Sequence, residues 1–386
     1  MDSADVVVIG GGVSGLSSAY FLAKRGMRVV VVEKGVVGSE ASGRNGGLII
    51  QRIGDPRLVP IDVESIRVWR TLDEELGYPT EFVGDGGLMI ALTEEDLADA
   101  YQMRDDYHKH GLRAEVVDSR EVKEMIRGVS DRTLGGLFYP DGAHGNPQRT
   151  VQAFAWAFQG KGGTLCQRTA VTGITVTGSK VSSVETTAGS IKTDFVVSAA
   201  GPQTGLIGDL VGLRIPVAPS RIESIATVPL EPLFKVHLIA NGLYGRQSLR
   251  GNLLFGGGSL EFGDVALAKE PAKPNSPLIR NISRRLAELI PGVEDVRVLR
   301  AWAGIVEVTP DGQPIIDMLD YPEGFVVVSQ SAHGFALCPG TGVVVSQLIV
   351  DGESPIDISG LKLRRFDWLD RDWRREWKFM PGDYSA

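Results

Sequence analysis

The sequence predicts an α/β protein in which a doubly wound domain, built on a parallel sheet, is interrupted by a second domain carrying a mostly antiparallel sheet and helices. Three observations predict it. A buried-type strand, Val6-Val7-Val8-Ile9, runs straight into Gly10-Gly11-Gly12-Val13-Ser14-Gly15, and after a helical stretch a second apolar strand, Val29-Val30-Val31-Val32, ends on Glu33. Two further apolar runs, Phe195-Val196-Val197-Ser198-Ala199-Ala200-Gly201 and Gly324-Phe325-Val326-Val327-Val328, have the continuous hydrophobicity of strands covered on both faces. Between these pieces lie segments with the alternation and the Pro- and Gly-rich connections of antiparallel strands.

The amino-terminal unit has a physical reading residue by residue. Gly10 permits the tight turn out of the strand, Gly12 lets backbone approach a pyrophosphate, and Gly15 lets the helix pack close to the sheet. Phosphates then sit at the helix amino end, where unpaired N–H groups and the dipole favour negative charge. Glu33 falls at the separation expected of the acid that accepts hydrogen bonds from a ribose. The unit is therefore a Rossmann-type dinucleotide site.

Along the chain, residues 94–127 read as charged surface helices with apolar stripes that include Leu97 and Tyr101. Residues 163–171 read as one strand and 174–184 as a hairpin. Strand-like pieces recur at 224–228, 253–255 and 296–302, and 269–277, with three prolines, reads as an exposed loop. After the 324–328 strand come a glycine-rich loop and an apolar helix over about 341–350. The nucleotide domain is thus interrupted twice, the insertions form the second domain, and substrate belongs at the seam.

Bulk properties narrow the class. A net charge of −8, with no basic run interleaved with aromatics before the tail, argues against a nucleic-acid partner. Two cysteines, Cys166 and Cys338, suit a reducing compartment without a disulfide framework. The first strand starts near residue 5, and no apolar run is expected to reach membrane-spanning length. A cytoplasmic location is expected, compatible with peripheral attachment to a membrane. The five histidines, His108, His110, His144, His237 and His333, lack ligand spacing, so no metal site is expected.

Four motifs carry a family resemblance: residues 10–33; Glu40-Ala41-Ser42-Gly43-Arg44-Asn45-Gly46-Gly47; Val196-Val197-Ser198-Ala199-Ala200-Gly201-Pro202; and Ser331-Ala332-His333-Gly334-Phe335. Asp141-Gly142-Ala143-His144-Gly145-Asn146-Pro147 and Trp302-Ala303-Gly304 with Thr309-Pro310-Asp311-Gly312-Gln313-Pro314-Ile315-Ile316 support it. With these in order, the chain resembles the D-amino-acid oxidase superfamily of flavoproteins, in the branch of glycine oxidase, sarcosine oxidase and amine dehydrogenase beta subunits. The resemblance implies FAD. It places residues 1–80, 145–215 and 316–366 in the FAD-binding domain, 81–144 and 216–315 in the substrate domain, and leaves 367–386 as a Trp- and Arg-rich tail. The cofactor residues implied are Gly10, Gly12, Val13, Ser14, Gly15, Glu33, Lys34, Ser42, Arg44, Asn45, Gly46, Gly47, Val171, Ala200, Gly201, Gly304, His333, Gly334 and Phe335.

The chemistry implied is oxidation of the C–N bond of a small amine: a D-amino acid, a proline-like imino acid, an N-methyl amino acid or an opine. A hydride passes to flavin N5 and the resulting imine hydrolyses. Such chemistry is largely the cofactor's, with the protein supplying position and field. Tyr244, Arg246 and His333 are the catalytic-site candidates; His333 reads equally well as a residue satisfying local backbone. His144, in a turn between domains, is a weaker candidate. A substrate carboxylate would want a bidentate arginine. The glycine-oxidase-like position for one is Val306, which leaves Arg44, Arg52, Arg221, Arg246 and Arg250 as candidates.

Two departures bear on the electron acceptor and the cofactor linkage. The oxygen-promoting lysine of monomeric sarcosine oxidases is matched by Leu254, and their flavin-linking cysteine by Gly304. A non-covalent FAD and an acceptor other than oxygen are therefore expected, with an oxygen-using glycine or sarcosine oxidase, or a non-catalytic flavin-holding subunit, as the rival readings. Cys338 beside the flavin loop reads as a buried, inert thiol or as a neighbour of the ring. In the tail, Trp368, Trp373 and Trp377 with their arginines suit either a partner subunit or docking on the chain's own body.

Overall fold

A computed structural model describes residues 2–51, 55–257, 261–262, 273–370 and 373–376. Its first layer is a six-stranded sheet in the order Ile315–Met318, Phe325–Ser329, Phe195–Ser198, Val6–Ile9, Val29–Glu33, Thr164–Gln167. All neighbours are parallel except the edge pair Ile315–Met318 and Phe325–Ser329. The central strand is buried on both faces, which is why it reads as unbroken valine: Val6, Val7 and Val8 are each 0 % exposed. On one face, side chains of the helices Val13–Lys24, Val59–Trp69, Pro147–Gly160 and Gly334–Asp351 join its core. Full burial of each valine or leucine there contributes roughly 1.5–3 kcal/mol.

Glycine sets how close those helices come. A Cβ on Gly342 would stand 2.3 Å from Ser17 Oγ, and one on Gly340 2.3 Å from Ser65 Oγ. The helix that carries both glycines, Gly334–Asp351, also holds Pro339 in its interior. A proline within a helix removes one internal hydrogen bond. Donors from the neighbouring helix serve carbonyls of that turn: the Trp69 indole N–H donates to Ala336 O at 2.9 Å and the Ser65 hydroxyl to Leu337 O at 3.3 Å.

The second layer is a nine-stranded sheet that takes strands from both insertions. Gly87–Ala91, Glu115–Asp118 and Gly135–Tyr139 come from the first, and Ala218–Pro229, His237–Ala240, Leu243–Gln247, Asn252–Gly257, Glu261–Phe262 and Val298–Val308 from the second. Its pairs are antiparallel apart from His237–Ala240 with Gly87–Ala91, where the two insertions join. Capping boxes start two helices beside it, Thr93 with Asp96 and Asp118 with Glu121, each cap contributing about 1 kcal/mol. A separate antiparallel sheet joins Val171–Thr177, Lys180–Thr186 and Gly189–Lys192, and Leu48–Ile49 pairs with Ala143–His144.

Four expectations are corrected. The 163–171 strand ends at Gln167, because Arg168 turns with φ 53°, and a new strand begins at Val171. Residues 94–127 are not all helix, since Glu115–Asp118 pairs with Gly135–Tyr139. The last long helix begins at Gly334, ahead of the expected 341, so the glycine-rich loop is partly its first turn. That helix is also long and apolar enough to cross a membrane by length and composition, against the expectation of no such run, but 67 % of it is buried inside the fold. Residues 269–272 of the expected 269–277 loop lie outside the described residues; 273–275 belong to neither helix nor strand, and Pro277 sits in the first turn of Ser276–Leu289.

Candidate active site

A cavity of about 780 Å³ runs from the glycine turn, past the ends of the central strands, to the second sheet. That is in the upper part of the range of about 300–1,000 Å³ usual for cofactor pockets. At one end Glu33 is held by two backbone donors, Gly11 N–H to Oε2 and Gly35 N–H to Oε1, each at 2.7 Å. Gly10, at φ 113°, makes the turn, and a Cβ there would stand 2.3 Å from Ala199 O. Gly15 does not line the cavity; it lies against the Gly10 carbonyl, 2.1 Å from a would-be Cβ, which is the close helix–strand packing expected of it.

The second loop is tied to this turn. Ser42 Oγ accepts the Val13 N–H at 2.9 Å, and Asn45 Oδ1 accepts the Gly47 N–H at 2.8 Å. Lys34, Glu40, Ser42, Asn45, Gly46, Gly47, Val171, Ala200 and Gly201 line the wall with Gly12, Val13 and Ser14. Arg44 and Gly304 do not. The Arg44 guanidinium donates to Ser39 O at 2.7 Å and Ala303 O at 3.0 Å, and Gly304 faces the Arg44 Cβ. These two lock the loop to the strand Val298–Val308.

At the other end, His333, Gly334 and Phe335 line the cavity at the start of the long helix. The first N–H groups of a helix have no partner within it, so this end carries partial positive charge. The preceding Ser331 and Ala332 sit in the left-handed region, φ 47° and 66°, strain of order 1–3 kcal/mol each that clusters at functional sites. Thr309 holds them there, its N–H donating to Ser331 Oγ at 3.1 Å.

Tyr244 lines the cavity, with its ring against Gly46. Arg246, two residues on along the same strand, lies behind that loop: it is 4 % exposed, and its Nε donates to Gly46 O at 2.8 Å. Burial lowers its pKa to about 10. Two buried histidines lie nearby, His144 close to Arg246 and His237 close to His144. His144 donates from Nε2 to Lys235 O at 2.9 Å, and burial together with the Arg246 charge lowers its pKa to about 4. His237 lies 2.6 Å from the Tyr139 hydroxyl, and its pKa is lowered to about 3, chiefly by burial. Neither lines the cavity.

The remaining candidates are dispersed. Arg221 pairs with Glu223 at 3.5 Å, Arg250 is exposed in a turn, and Arg52 lies outside the described residues. Leu254 and Cys338 are off the cavity wall, and burial pushes the Cys338 thiol up. Sequence reasoning missed Asp62, Glu307 and Gln330, which all line the cavity and are nearly buried. The available signal was an acid on the apolar face of a helix, Asp62 among Ile61, Ser65 and Ile66.

The wall fits a dinucleotide carrying a large ring. Glycines line its phosphate end, apolar and aromatic groups its far end, and Glu40 Oε2 is buried on it without a hydrogen-bond partner. The FAD dependent oxidoreductase family matches residues 5–348 of the chain. Sarcosine oxidase subunit beta of Rhodobacter capsulatus is 27 % identical over 91 % of this chain and 86 % of its own length. Glycine oxidase of Geobacillus kaustophilus is 29 % identical over 94 % and 97 %. Among solved structures, L-proline dehydrogenase from P. horikoshii matches with TM-score 0.87 and 26 % identity, covering 95 % of this chain and 98 % of that one.

Proposed function

Because the chain belongs to the FAD dependent oxidoreductase family, we propose that it oxidises the C–N bond of a small amine or amino acid, as a dehydrogenase with non-covalent FAD. FAD, when bound, supplies the acceptor for the hydride that leaves the carbon beside nitrogen, and the imine product is hydrolysed by water. The chain's own residues bind and orient. Glu33 and the glycine turn hold the dinucleotide end, and the loop from Ser42 to Gly47 with the start of the Gly334–Asp351 helix holds the ring end. Tyr244 stands over the Gly46 side of that end and orients substrate.

The single observation that carries this reading is the meeting of Tyr244, from the second sheet, with Gly46 and Phe335, from the first domain, on one cavity wall. The acceptor preference rests on the described lining, whose one lysine is Lys34, beside Glu33. Non-covalent attachment is supported by a described lining without cysteine. Assembly with a second chain is supported by the relative named as a subunit. In the tail, Trp373 is buried against the chain's own core while Trp368 is 68 % exposed; Trp377 lies outside the described residues.

The test is anaerobic bleaching of the bound flavin against D- and L-amino acids, N-methyl amino acids and opines, followed by turnover with dye against turnover with oxygen. The expected result is bleaching by one of these classes and faster turnover with dye. A flavin that no amine bleaches removes the proposal, and faster turnover with oxygen favours the oxidase.

A further inference from the structure

Glu307 is a buried acid that the reading above does not use. It lies near the end of Val298–Val308, is 7 % exposed, and lines the cavity. Its Oε1 accepts the Gln330 N–H at 2.9 Å. Its Oε2 points toward Gly201, also on the wall, 3.6 Å from where a Cβ would stand. The Gln330 amide is turned away, donating to Thr341 Oγ1 at 3.0 Å. Burial raises the Glu307 pKa, with only backbone donors opposing it.

A carboxylate oxygen in such a place is costly unless a donor meets it. Glu307 stands beside the loops that follow Phe195–Ser198 and Phe325–Ser329, at the carboxyl ends of the central strands, where an α/β sheet takes its ligand. An ionised Glu307 would repel a phosphate or carboxylate there, whereas an uncharged, donor-rich ligand segment would meet its oxygen and favour the ionised form. We propose that Glu307 is a cofactor-binding residue whose Oε2 accepts hydrogen bonds from the ribityl hydroxyls of FAD. The inference rests on the FAD reading and extends it to a residue outside the glycine motifs.

The test uses the full chain stripped of flavin and titrated with FAD, followed by flavin fluorescence. Glu307→Gln, which keeps size and shape, is expected to raise the Kd for FAD roughly ten- to a hundredfold, the range of a hydrogen bond to a charged group. FAD analogues lacking ribityl hydroxyls are expected to bind the wild-type chain more weakly than FAD, and to lose little further affinity in the variant. A variant that binds FAD as the wild type does overturns the proposal, as does an equal loss for FAD and its deoxy analogues. Should the variant not fold, the wild-type chain decides: deoxy analogues binding as tightly as FAD overturn it. A wild-type chain that takes up no FAD overturns the cofactor reading as well, so the two failures are distinguishable.

Discussion

The Arg246 guanidinium and the Gly46 carbonyl, 200 residues apart in the chain, are joined by a 2.8 Å hydrogen bond that fastens the second sheet to the loop on the cavity wall. Arg246 thereby acts on the loop. Arg246→Met is expected to lower stability by about 1.5–3 kcal/mol and to weaken FAD binding. Urea unfolding and flavin titration check it, and unchanged values with a raised KM alone would show a substrate ligand.

Tyr244→Phe keeps the ring and removes the hydroxyl. KM for the amine is expected to rise about three- to tenfold, the worth of one neutral hydrogen bond, with FAD affinity unchanged. Steady-state dye reduction alongside flavin titration separates the two effects.

Gly10→Ala places a Cβ 2.3 Å from Ala199 O at φ 113°, and Gly15→Ala places one 2.1 Å from Gly10 O. The backbone conformation at Gly10 alone costs about 1–3 kcal/mol for another residue. Both variants are expected to lose FAD and to unfold at lower urea; a stable, flavin-bound Gly10→Ala would contradict the turn described.

Asp311 gives the fold an acid-sensitive joint. Burial works against its carboxylate, but hydrogen bonds from Arg365, at 2.9 and 3.1 Å, with the Arg57 pair at 2.9 Å, outweigh it and hold its pKa below the ordinary 3.8. A folded pKa below the unfolded one gives stability that is present above about pH 4 and lost as pH falls through the folded value. Urea unfolding between about pH 6 and pH 3 is expected to show that loss, and Asp311→Asn to reduce its slope.

The middle of the parallel sheet was legible because Val6–Ile9, Val29–Glu33, Phe195–Ser198 and Phe325–Ser329 are apolar runs largely buried on both faces, and the glycine turn because only glycine suits φ 113° at Gly10. The start of the last long helix was not, since Gly334 and Pro339 are breakers by local propensity and packing against Ser65 and Trp69 overrides them. The hydrogen bond from Arg246 to Gly46 was not legible, because a partner 200 residues away leaves no local pattern. Asp62 and Glu307 reach the wall only through tertiary packing.

The strand order of the first sheet carries a consequence for biosynthesis. Val6–Ile9 leaves the ribosome ahead of its neighbour Phe195–Ser198, which must in turn await Phe325–Ser329 from far down the chain. Until Phe325–Ser329 has emerged the pleat stays unfinished, and the loops after Phe195–Ser198 and Phe325–Ser329 that wall the cavity cannot yet face one another.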